Sequence, residues 1–119
     1  ALGVCTAQWY PRMGRLSIAI GDCGIGIRES LSQNPEHREV ASMSHARAAA
    51  LAFTPLVSRK HEGGMGLAEV AQSVAEEGGG LILATGDGYI TSNSRQRKLG
   101  TQSIDLPGVQ VEISFPARR

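Results

Sequence analysis

The sequence has little of what marks several large protein classes. Only two of its 119 residues are cysteines, Cys5 and Cys23, which are too few for a disulfide scaffold and lack metal-type spacing. No apolar run approaches the roughly 18 residues that a membrane-spanning helix needs. The 12 basic and 11 acidic residues leave a net charge of +1. Nothing in this balance indicates nucleic acid or an anionic membrane as a partner, and we expect a reduced, cytoplasmic protein.

The composition is that of an ordinary globular domain. Hydrophobic residues make up 41% and charged residues 19% of the chain, so enough apolar surface is present to form one core. At this length we expect a single domain over residues 1–119. Because the first ten residues, ALGVCTAQWY, already have strand character without a methionine or a helix cap, we expect the chain to be a piece of a larger protein.

Strand patterns lie at both ends of the chain. The segment 2–10 has mixed strand character, and RLSIAI (15–20) places apolar residues on one face at a period of two. LILAT and YITS flank Gly86-Asp87-Gly88, which predicts a hairpin turn there, and the polar stretch 93–102 indicates a loop. VQVEISF alternates strictly, with its apolar residues on one face: Val109, Val111, Ile113 and Phe115.

Three helices are predicted between these strands. A short one covers 27–33, and a second runs from a cap at Asn34 to about Ala52. Its predicted buried residues are Val40, Met43, Ala46 and Ala50. A third helix runs from about Met65 to Glu77, with apolar residues at helical spacing, and three glycines end it. The segment 53–64 between the last two helices, rich in proline, glycine and charge, is predicted to be a mobile loop.

This order of elements predicts the fold class. Strands at both ends with helices gathered between them favour an α+β fold, a two-layer α/β sandwich with a mixed, mostly antiparallel sheet covered by helices on one face. A Rossmann sheet would need regular alternation of strand and helix, which this sequence lacks.

Two glycine motifs carry the chemical signal. DCGIGI follows a predicted strand, and GGMGLAEV opens a predicted helix. Neither is a P-loop, since neither lysine follows a glycine, and neither completes G-x-G-x-x-G, because Glu29 and Glu69 stand at the third glycine position.

Taken together, the two motifs resemble those of the Bergerat-fold, histidine kinase-like ATPase superfamily (gyrase B, MutL repair proteins, heat-shock chaperones and sensor histidine kinases) over roughly residues 3–116. The D-x-G-x-G of that family is matched by Asp22, Gly24 and Gly26, and its G-x-G-L by Gly64, Gly66 and Leu67. The resemblance implies ATP binding with residues 53–64 as the ATP lid. The nucleotide-binding residues that it implies are Asp22, Gly24, Gly26, Ile27, Gly64, Gly66, Leu67 and Thr85.

Elementary chemistry agrees with this interpretation. A carboxylate at Asp22 can accept the exocyclic amino hydrogen of adenine, whereas guanine presents a carbonyl there. Glycines at 24 and 26 let a ring and a ribose lie against backbone, and glycines at 64 and 66 free backbone N–H groups at a helix start for phosphate oxygens.

Structural alternatives stand beside each assignment. Asp22 is alternatively a helix-capping acid, the glycines at 64 and 66 a flexible hinge, and Thr85 an ordinary strand threonine. Arg59 and Lys60 favour a solvated loop face over phosphate contacts. His61 beside Glu62 has no second ligand at zinc spacing.

The sequence departs from the family at its catalytic end. Family members carry a glutamate that activates water and an asparagine that holds Mg²⁺ on a helix before the first strand pair, and neither has a match here. We therefore assign no catalytic or metal residue in this chain and expect the magnesium ligand upstream. The implied function is the ATP-binding part of a sensor-kinase or anti-sigma-factor serine-kinase type enzyme acting on a protein, with this chain alone inactive. The alternative is a regulatory module that docks partner proteins without phosphoryl transfer. We also expect a homodimer or higher oligomer whose contact includes the strand near Gly3–Tyr10.

Overall fold

The computed structural model of the protein describes residues 3–53 and 67–116. The predicted lid, apart from Phe53, and the motif glycines Gly64 and Gly66 lie outside these residues. The elements in chain order are β1 (Gly3–Tyr10), β2 (Arg15–Asp22), α1 (Gly26–Ser32), a 3₁₀ helix (Pro35–Ser42), α2 (His45–Ala52), α3 (Leu67–Glu76), β3 (Gly80–Asn93) and β4 (Arg97–Pro116). None of the helices within these ranges is long and apolar enough to cross a bilayer.

The four strands form one sheet in the order β1-β2-β4-β3. Each neighbouring pair is antiparallel, so within the described ranges the sheet is wholly antiparallel. The expectation of a mixed, mostly antiparallel sheet is wrong in this detail. Short connections account for two of these antiparallel pairs, since a three- or four-residue turn joins β1 to β2 and β3 to β4, whereas a parallel pair needs a long crossover. The α+β class with helices packed on the sheet is confirmed.

The strand faces follow the predicted alternation. Leu16, Ile18 and Ile20 of β2 pair with Phe115, Ile113 and Val111 of β4, which puts all six on one face. Helices α2 and α3 pack on this side, mainly against β3. The core is deepest there, where Leu81, Leu83 and Ile90 are almost completely buried beneath Val40 and the alanines of α2. Each such side chain contributes roughly 1.5–3 kcal/mol through burial.

The predicted second helix is wrong as a continuous element. Asn34 caps the 3₁₀ helix by accepting from Glu36 N, as expected, but the backbone turns extended at Met43 and Ser44. Ser44 then caps α2 by accepting a hydrogen bond from Arg47 N at 3.1 Å. A serine that bonds the backbone three residues ahead competes with an interior helical position, so the chain restarts a helix here.

The predicted hairpin turn at Gly86-Asp87-Gly88 is also wrong. These residues lie inside the 14-residue strand β3, and the turn falls at residues 94–96, where Asn93 Oδ1 accepts from two backbone N–H groups. The segment 93–102 is therefore mostly strand rather than loop. Gly86, with a φ of +57°, lies against the ring of His45, and Gly88 lies against the backbone of Ala46, so that a Cβ at either position would collide with α2. These glycines therefore allow α2 to approach the sheet closely and mark a β-bulge.

Helix α3 shows the predicted pattern over its described length. Ala71 and Val74 are buried, and Leu67, Val70 and Ala75 are half-buried. The helix ends at Glu76 and is followed by Gly78, whose φ is +79°, and Gly79 N donates to Val74 O at 2.9 Å. This left-handed termination confirms the glycines as the helix stop.

Candidate functional site

Asp22 lies where β2 ends beside a distortion of β4. The alternation of β2 puts Asp22 on the same face as Ile18 and Ile20, the face that the helices cover. The pairing of β3 with β4 shifts between Thr85, which pairs with Val109, and Gly86, which pairs with Leu106. The extra β4 residues, Pro107 and Gly108, bulge toward the end of β2. Bulges of this kind re-aim backbone groups next to functional sites.

The carboxylate of Asp22 is held by backbone N–H groups. Its Oδ1 accepts hydrogen bonds from Gly24 N at 2.9 Å and from Val109 N at 3.2 Å. The backbone carbonyl of Asp22 accepts from Gln110 Nε2 at 3.0 Å. Asp22 does not cap α1, because the N-cap of that helix is Ile25 and makes no side-chain hydrogen bond. The side chain instead ties the end of β2 to β4.

Gly108 makes this arrangement possible. Its φ is +74°, which L side chains rarely adopt, and a Cβ there would collide with the carbonyl oxygen and Oδ1 of Asp22. The carbonyl carbon of Asp22 would stand only 2.8 Å away. Only a glycine therefore lets the bulge of β4 approach Asp22 this closely.

Thr85, on the neighbouring strand β3, holds the same bulge by hydrogen bonds. Its fully buried hydroxyl donates to Gly108 O at 3.0 Å and accepts from Ile27 N at 3.3 Å. A Cβ at Gly26, where φ is +87°, would stand 3.2 Å from Thr85 Oγ1. The missing side chain of Gly26 is thus accounted for by packing inside the protein, and the hydroxyl proton of Thr85 is engaged by Gly108.

The structure brings together most of the site residues that the sequence predicts. Asp22, Gly24, Gly26, Ile27 and Thr85 form one cluster, linked by the hydrogen bonds above. Leu67 begins α3 and packs, half-buried, against the hydrophobic core. The other two predicted residues, Gly64 and Gly66, lie outside the described residues.

Sequence reasoning missed the β4 side of this cluster. Val109 and Gln110 were predicted only as part of a regular terminal strand, and Gly108 was given no role. The available signal was the Leu-Pro-Gly tripeptide (106–108) before the alternating run, since proline followed by glycine is typical of a break in strand geometry. We refer below to Asp22, Gly24, Thr85, Gly108 and Val109 as the Asp22 cluster.

Two open clefts lie away from the Asp22 cluster. One, of about 680 Å³, lies between α2 and the first part of β4, with Arg47 and Leu99 among its lining residues. The other, of about 460 Å³, lies on the sheet face without helices and is lined by residues from all four strands. Arg28 Nε and His45 Nδ1 are buried and have no hydrogen-bond partner in the part of the chain that the structure describes. Among residues 3–53 and 67–116, no three His, Cys, Asp or Glu side chains gather as a metal site would require.

Comparison with known proteins adds no assignment. No protein-family model, no curated protein and no solved structure matches this chain. The members of the Asp22 cluster come from β2, the loop before α1, β3 and β4. Such a cluster can offer one fixed carboxylate oxygen to a hydrogen-bond donor.

Proposed function

We propose that the chain is an adenine-nucleotide-binding domain in which Asp22 recognises the base. The observation that carries this proposal is that the two oxygens of the Asp22 carboxylate differ in their hydrogen bonds. Oδ1 is occupied by two backbone N–H groups, whereas no residue of the described ranges donates a hydrogen bond to Oδ2. A carboxylate fixed through one oxygen presents the other in a single direction, and it accepts only from donors.

The chemistry of the bases sets the expected preference. The exocyclic amine of adenine would donate to Asp22 Oδ2, while the carbonyl that guanine presents at the same place would be repelled. Gly24 supports this geometry, since a Cβ there would stand 3.3 Å from Asp22 Oδ1 and crowd the carboxylate. The base would therefore lie next to the loop between β2 and α1, against Gly24, Gly26 and Ile27.

The phosphate end of the proposed site rests on the sequence. Gly64, Gly66 and Leu67 precede and open α3, and phosphate oxygens would accept from backbone N–H groups at that helix start. Residues 53–64 would form the ATP lid. We assign no magnesium ligand within the described ranges, so the proposed role is the nucleotide-holding part of a sensor-kinase or anti-sigma-factor serine-kinase type enzyme.

Calorimetric titration with ATP, ADP and GTP tests the proposal. Asp22→Asn keeps a carbonyl oxygen for Gly24 N and Val109 N but replaces the free oxygen with an NH₂ donor. We expect this variant to weaken ATP binding by about 1–3 kcal/mol and to shift the preference toward GTP. The matched control is Asp105→Asn, which removes the same charge from an exposed position on β4. Equal affinity of the unaltered protein for ATP and GTP would contradict the assignment.

A second candidate function, docking of a protein partner, is favoured by a different observation. Strand β1 is the edge of the sheet, is exposed along its whole length, and contains no charged residue and no proline. Natural edge strands usually carry such residues because they prevent pairing with another strand. We propose that the partner is a second copy of this chain. An antiparallel edge can pair with itself about a two-fold axis, and here that pairing brings no like charges together.

A further inference from the structure

We infer that Gly108 is a positioning residue that determines how Asp22 presents its carboxylate. The inference rests on the proposed function for its ligand, but its structural part concerns the nucleotide-free protein. Gly108 keeps Val109 N–H on Asp22 Oδ1, and Oδ2 is therefore the oxygen that remains for a base amine.

The first step is the backbone geometry of the bulge. Residues Leu106 to Val109 of β4 span the distance that Thr85 and Gly86 cover on β3, so the backbone of β4 must bulge there. The positive φ of Gly108 allows that bulge, and the next residue, Val109, then directs its N–H at Asp22. An L residue at position 108 would be strained in φ and would also collide with Asp22.

The second step is the anchoring of Gly108 itself. Its carbonyl accepts the hydroxyl of Thr85, a residue with no exposed surface, at 3.0 Å. That hydroxyl also accepts from Ile27 N, so the start of α1 and the bulge share one anchor. A change at Thr85 would therefore reach Asp22 through Gly108 without touching Asp22 directly.

If Gly108 served only to relieve backbone strain, its replacement would lower stability without affecting Asp22. Gly78 provides the control that distinguishes this possibility from the positioning of Asp22. Gly78 also has a positive φ, of +79°, but among the described residues a Cβ there would meet only Pro116, at 3.7 Å. Gly78→Ala and Gly108→Ala therefore both place an L residue in the left-handed region, and only the second disturbs Asp22.

The experiment compares Gly108→Ala, Gly78→Ala and Asp22→Ala in the full chain. Amide NMR and hydrogen exchange without nucleotide follow the N–H groups of Gly24 and Val109. We expect both amides to lose roughly tenfold or more of their protection in Gly108→Ala and in Asp22→Ala, and to keep it in Gly78→Ala. Titration with ATP and GTP should then show that Gly108→Ala loses the preference for ATP, while Gly78→Ala retains it.

Thr85→Val and Thr85→Ser give the same test without backbone strain, and serve if Gly108→Ala does not fold. Removing the hydroxyl should loosen Val109 N–H and reduce the ATP preference, and the serine variant should restore both. Unchanged protection of Gly24 and Val109 in both Gly108→Ala and Thr85→Val would overturn the inference, as would an intact ATP preference in them. If the amides respond as expected but the unaltered protein binds neither nucleotide, the proposed function fails while the positioning of Asp22 by Gly108 is supported.

Discussion

The two halves of the sheet differ in how they are covered. On β3 the helices bury Leu83 and Ile90 completely, whereas Ile20 of β2 is 46% exposed, and Cys5, which pairs with it on β1, is exposed as well. The covered half therefore supplies most of the hydrophobic stabilisation and the open half little. The Asp22 cluster lies at the junction, with Asp22 from the open half held by Gly108 and Val109 from the covered half. The site therefore depends on the strand pairing between the two halves more than on the hydrophobic packing of either half.

The largest effect expected from this comparison is on core packing. Leu83→Ala on the covered half should lower the free energy of unfolding by roughly 2–5 kcal/mol, because it leaves a cavity beneath the helices. Ile20→Ala on the open half should cost about 1 kcal/mol or less, since its side chain is already half in solvent. Urea denaturation of both variants measures the difference. Equal losses would show that the open half is covered in solution.

A second, intermediate effect concerns the close approach of α2 to β3. In Gly88→Ala the added Cβ would collide with the backbone of Ala46, so we expect a loss of roughly 1–3 kcal/mol. Gly3→Ala on β1 is the matched change on the open half, where Gly21 O, at 3.4 Å, is the one described atom that the Cβ would meet. The unfolding free energy should therefore stay within about 0.5 kcal/mol. Thermal unfolding of Gly88→Ala and Gly3→Ala measures the difference in their stability. An unchanged stability of Gly88→Ala would contradict the close packing of α2 on this part of β3.

The smallest effect on stability, and the most direct test of the open half, is on self-association. Ala7 lies at the middle of β1, and Ala7→Lys would place like charges opposite each other in a self-paired dimer. We expect the unaltered chain to dimerise with rising concentration, and Ala7→Lys to stay monomeric with little change in unfolding free energy. Light scattering during gel filtration measures this.

The control for that test adds the same charge elsewhere. Ser103 is exposed on β4, away from β1, so Ser103→Lys should dimerise like the unaltered chain. A monomer at every concentration of the unaltered chain would remove the case for β1 as a docking edge.

Local patterns were enough for the elements whose cause is local. Alternation in RLSIAI and VQVEISF predicted the correct strand faces, because side chains of a strand point to opposite sides at every step. The Asn34 cap, the apolar face of α3 and its glycine stop were likewise predictable, since each depends on residues within a turn or two. The residues 22–27 were recognised as a unit for the same reason.

Local sequence patterns therefore account for the α+β class, the strand faces and the loop that carries Asp22. The roles of the distant glycines depend instead on contacts that form only when the chain folds. Gly86 and Gly88 have the sequence of a turn, yet they lie in a strand because α2 presses against them. Val109 is 87 positions from Asp22, and its N–H meets the carboxylate only because β2 pairs with β4 and Gly108 turns the backbone toward it. Contacts of that range leave no periodicity in the sequence, because the strain and close approach that require glycine exist only in the folded chain.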